Sequence, residues 1–64
     1  MREAELWQRL RAQLGDGYAG VWAEQMVLDE LGGRTVVEAV AAGLDCKVIW
    51  RAVWARLELP ARDR

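Results

Sequence analysis

The residues Thr35–Trp54, TVVEAVAAGLDCKVIWRAVW, spell out a short helix, a turn and a longer helix. Thr35 followed three residues later by Glu38 is the T-x-x-E capping box, in which each residue satisfies a backbone N–H that the first helical turn leaves unpaired. The spacing predicts a helix over Val36–Ala42, a turn at Gly43 and Leu44, a cap at Asp45, and a helix from Cys46 to about Glu58, with Pro60 placed just beyond it. Helix-turn-helix DNA readers carry the same punctuation. Ala39 and Gly43 stand four apart, Ile49 follows six after the glycine as an apolar anchor, and Ala52 permits close approach one turn later. In that register Cys46, Lys47, Trp50, Arg51 and Trp54 face a groove. Arg51 could then fork onto a guanine edge and Lys47 could touch phosphate.

Outward from this stretch the chain stays helical. Leu6, Trp7, Leu10 and Leu14 share one face of an N-terminal helix, with Glu5 and Arg9 as an i,i+4 pair, Gly15 as its end and Asp16 as the cap of the next helix. "YAGVWAEQMVLDEL" reads as a single second helix, residues 18–31, terminated by Gly32 and Gly33. On it Ala19, Ala23, Met26 and Val27 share a face, and Val21, Leu28 and Leu31 lie roughly opposite, so it is expected to sit centrally between two neighbours. Its remaining stripe is Tyr18, Trp22, Gln25 and Asp29. With no strand signal, repeat or linker, the expectation is an all-α, compact single domain over residues 1–64. About four short helices make it up, the last two arranged helix-turn-helix-like, with a polar tail, ARDR, from about residue 60.

Composition bounds the function. At 64 residues, 53% hydrophobic and 30% charged, the chain is globular but small; a domain of this size buries only ~60% of its unfolded surface. Nine basic against ten acidic residues leave a net charge of −1. Residues 1–34 hold four basic and six acidic side chains, and residues 35–64 hold five and four, a weak tilt in the direction DNA binding would want. Within residues 35–58, Lys47, Arg51 and Arg56 are cancelled by Glu38, Asp45 and Glu58, whereas specific DNA binders neutralise roughly 6–10 phosphates.

Histidine is absent, which removes imidazole acid–base and metal chemistry. Cys46 is the only cysteine, so no intrachain disulfide can form, and no general base stands beside it to make a nucleophile. No enzyme activity, cofactor, metal or small-molecule substrate is expected. No stretch approaches the roughly 18 consecutive apolar residues of a membrane span, so a cytoplasmic protein is expected.

What remains is an interaction module. Four indoles are hard to hide in so few residues, and tryptophan beside arginine is the composition of interface hot spots. The expected surface combines Lys47, Trp50, Arg51 and Trp54 of the last helix with Tyr18 and Trp22 of the second. The competing reading is that the aromatics simply fill the core, as large side chains mostly do. Trp50, nearer Val53 and Leu57, should be more buried than Trp54, which should sit at a rim beside Lys47 and Arg51. The expected partner is a protein or a second copy of the chain, with DNA the alternative.

The chain as a whole resembles a short actinobacterial family classed as domain of unknown function 3046. The resemblance rests on the Trp7 helix, Tyr18-Ala19, Val27-Leu28, the block Leu31-Gly32-Gly33-Arg34-Thr35-Val36, Glu38-Ala39, Trp50-Arg51-Ala52-Val53 and Leu59-Pro60. Trp54 departs from it, standing where a small residue such as cysteine is more usual. The resemblance implies a cytoplasmic product, often encoded near the recombinase recA and its regulator recX. It assigns no activity and no site residues.

Overall fold

The computed structural model describes residues 1–61; the rest of the expected tail, Arg62 to Arg64, lies outside the described residues. Four α-helices follow in order: α1 (Glu3–Leu14), α2 (Asp16–Gln25), α3 (Val36–Ala41) and α4 (Cys46–Arg56), with a 3₁₀ turn at Asp29–Leu31 between α2 and α3. The fold is all-α, as the periodicity predicts. Among the described residues the one β feature is an isolated antiparallel bridge between Leu28 and Arg34.

Each helix carries its reason in its residues. Glu3 and Glu5 open α1 and Arg11 closes it, the order its dipole favours. Glu5 and Arg9 pair at 3.7 Å. Gly15, at φ 89°, is the whole joint between α1 and α2. Its N–H donates back to Arg11 and its carbonyl accepts the Ala19 N–H, so two helices meet with one residue between them. Asp16 is therefore the first residue of α2 and does not cap it; the cap position belongs to Gly15. At α3 the capping box forms in both directions. The Glu38 N–H donates to Thr35 Oγ1 at 3.1 Å and the Thr35 N–H donates to Glu38 Oε1 at 2.9 Å. Asp45 Oδ1 accepts the Lys47 N–H at 2.9 Å and caps α4.

The second helix is shorter than its sequence predicts. It stops at Gln25, and Met26 is extended. At 100° per residue, a continued helix would carry Leu28 and Leu31 to the side opposite the buried Ala19, Trp22 and Ala23. Breaking the helix lets the chain double back, and both leucines become buried with the rest. The return is closed by backbone bonds: Leu28 N–H to the Arg34 carbonyl at 3.0 Å, and Gly33 N–H to the Leu28 carbonyl at 3.1 Å. Val21, left on the abandoned side, is exposed, so α2 buries one face and not two.

The core is drawn from every element: Leu6 and Leu10 of α1, Trp22 of α2, Leu28, Leu31, Val36 of α3, and Ile49, Trp50 and Val53 of α4. Burying a side chain of this size contributes about 1.5–3 kcal/mol. The radius of gyration is 10.5 Å, close to the ~11 Å of a folded domain of this length. Arg56 and Glu30, 3.7 Å apart, add a surface tie between α4 and the 3₁₀ turn.

Candidate functional site

The six residues expected to form one surface divide among three places. Lys47 and Arg51, one turn apart on α4, are exposed along one wall of an open cleft of about 490 Å³. Glu5 and Arg9, one turn apart on α1, make the other wall, with Met1 at the end. Trp50 lies between the walls and is only 1% exposed, which makes it the floor. The Arg9 guanidinium sits over the Trp50 ring, 5.6 Å from its centroid, a cation–π geometry that fixes Arg9 while Glu5 holds it from the side. Three cationic side chains and one carboxylate thus surround the opening.

Tyr18 and Trp22 belong to a second, smaller groove of about 260 Å³ on α2, lined also by Val21, Gln25 and Met26. Tyr18 is 53% exposed and Val21 47%, while Trp22 is only 5% exposed and supports them from beneath. Among the described residues, no charged side chain lines this groove. Residues 18, 21, 22 and 25 follow the spacing of a single helical stripe.

Trp54 lines neither opening. It is partly buried, and its indole N–H donates to the Pro60 carbonyl at 2.8 Å, which ties it to the chain following α4. The expected order of burial, Trp50 deeper than Trp54, is what the structure has. The expected contact surface is corrected in two respects. Trp50 and Trp22 are core residues with no side-chain area to offer a partner, because α1 packs across the Trp50 face of α4 and the domain closes over Trp22. Trp54 does not line the cleft that Lys47 and Arg51 line.

Sequence reasoning missed the α1 contribution. Glu5–Arg9 was legible as an ion pair, but its position opposite Lys47 and Arg51 follows from α1 lying against α4, which no local pattern encodes. On α2, two apolar faces predict Val21 packed against a neighbour, and its exposure follows from the early end of the helix. Cys46 is a free, partly buried thiol. No helix among the described residues is long and apolar enough to cross a membrane.

No curated protein and no solved structure matches the chain. A family model does, over residues 1–62, and it spans all four helices and every residue of both grooves. The chain belongs to that family, DUF3046, described as proteins of unknown function.

Proposed function

We propose that this chain is a non-enzymatic, cytoplasmic interaction module that binds a protein partner through the outer face of α2. The observation that carries the reading is the open stripe of Tyr18, Val21, Gln25 and Met26, uncharged among the described residues, on which Tyr18 is the most exposed of the large apolar side chains described. An exposed aromatic beside aliphatic neighbours, supported by a buried indole, suits a partner's apolar helix face. The free Cys46 thiol suits a reducing compartment.

DNA binding ranks second. In a helix-turn-helix the outer face of the second helix enters the groove; here α1 occupies the Trp50 side of α4. Two exposed cations, Lys47 and Arg51, remain on that helix's cleft face, few beside the roughly 6–10 phosphates a specific reader neutralises.

The test is affinity capture from native lysate with the wild-type chain and with a Val21→Asp variant, each with and without nuclease. Val21 is exposed, so the variant should fold. A partner that survives nuclease and is lost with Val21→Asp supports the reading. A partner released by nuclease alone transfers it to nucleic acid.

A further inference from the structure

The cleft between α1 and α4 is a second surface, separate from the α2 groove, and its chemistry is different. We infer that it is a carboxylate-binding site that takes an acidic segment of a protein, with Lys47 and Arg51 as the direct contacts and Arg9 as a fixed positive charge behind them.

Three observations lead there. Lys47 and Arg51 project from α4 into the same opening as Arg9 of α1, residues far apart in sequence that the packing of α1 on α4 brings together. Among the described residues neither Lys47 nor Arg51 has an ion-pair partner, in contrast to Arg9, which is bound to Glu5 at 3.7 Å and lies over Trp50 at 5.6 Å. Arg9 is therefore held in place before any ligand arrives, and the two α4 cations are available to one.

The size and the sign of the site choose among anions. A cleft of about 490 Å³ accepts a few side chains, within the roughly 300–1,000 Å³ of ordinary binding sites. Glu5 stands on its wall, so the side chains leave an excess of two positive charges, enough for one or two carboxylates and too few for a nucleic-acid backbone. Met1 adds apolar lining, which suits the methylene groups of glutamate and the flanking side chains of a peptide better than a sugar–phosphate chain. Planar guanidinium groups also match a carboxylate in two parallel hydrogen bonds, a geometry Arg51 can supply from its exposed position.

The experiment is fluorescence anisotropy at low salt with two labelled probes, an oligo-glutamate peptide and an oligothymidylate of equal charge. It uses the wild-type chain, a Lys47→Glu/Arg51→Glu double variant, and an Arg11→Glu control. Arg11 is exposed on α1 and lies outside the cleft, so the control alters net charge without touching the site. All three should keep the wild-type helical circular dichroism, because the substituted side chains are exposed. Wild type and Arg11→Glu should bind oligo-glutamate, and the double variant should bind it roughly tenfold or more weakly. No binding of oligo-glutamate by the wild type overturns the inference, as does equal binding by the double variant or an equal loss in the Arg11→Glu control. Preferential capture of oligothymidylate also overturns it, and assigns the cleft to nucleic acid.

Discussion

Glu58 ends α4 in the left-handed backbone conformation with which Gly43 ends α3, at φ 54° against 82°. The two ends are built alike. After α3, Gly43 N–H donates to Val40 and Leu44 N–H to Ala39; after α4, Glu58 N–H donates to Ala55 and Leu59 N–H to Trp54. Both are Schellman closures, whose left-handed position favours glycine because a Cβ there crowds the following carbonyl. Glutamate holds that position at a cost of about 1–2 kcal/mol. Glu58→Gly should therefore stabilise the domain by about 0.5–1 kcal/mol, once glycine's greater freedom in the unfolded chain is subtracted. Gly43→Ala should destabilise it by about 1–2 kcal/mol through the backbone alone, since a Cβ there meets nothing within 4 Å. Urea titrations of both variants read the two signs directly, and a Glu58→Gly chain no more stable than wild type contradicts the strain assigned to it.

Thr35 is buried at the head of α3, and its hydroxyl accepts the Glu38 N–H. Thr35→Ala should lower stability by about 1 kcal/mol, because the Glu38 N–H, in a part-buried bond, loses its acceptor. Thr35→Ser keeps the acceptor and should lose less. Thermal melts followed by circular dichroism separate the two, and equal losses would shift the importance of Thr35 from its hydroxyl to its methyl group.

Trp50 and Trp54 should respond differently to substitution. Trp50→Ala empties the floor between α1 and α4 and should cost about 3–5 kcal/mol, as much as the whole stability expected of so small a domain. Trp54→Ala removes a partly buried ring and one hydrogen bond to Pro60, a loss of about 1–2 kcal/mol. The first variant should be largely unfolded at room temperature and the second folded. Near-ultraviolet circular dichroism and urea midpoints give the comparison; a Trp54→Ala chain as unfolded as Trp50→Ala would mean that Trp54 is a core residue.

These expectations rest partly on features that the sequence displays and partly on ones it does not. Thr35 with Glu38, Asp45 before Lys47, and Glu5 with Arg9 act over four residues or fewer, so their spacing alone announces them. The end of α2 has no such signal. Met26, Val27 and Leu28 contain no glycine, proline or asparagine, and the break arises from the demand that Leu28 and Leu31 reach the core, which only the assembled fold imposes. The same holds for the aromatic pair on α2. Tyr18 and Trp22 are four apart, and the 40° between them is enough to leave one exposed and turn the other inward. Lys47 and Arg51 are recognisable as a charged stripe, but that Arg9 and Glu5 stand opposite them depends on α1 lying across α4.

The doubling-back between α2 and α3 has a consequence for proteolysis. Gly32-Gly33-Arg34 has the look of an exposed loop with a trypsin site in it. Yet the Arg34 carbonyl, which belongs to the bond trypsin would cut, accepts the Leu28 N–H, and Thr35 on the other side of that bond is buried. A protease needs its target segment extended and free of such bonds. Limited trypsin digestion of the native chain should therefore cut after Arg34 only as fast as the whole domain unfolds, and the rate should rise in step with each destabilising substitution. The two glycines then form a rigid elbow, and the most loop-like letters in the sequence mark one of the places where the chain resists cleavage.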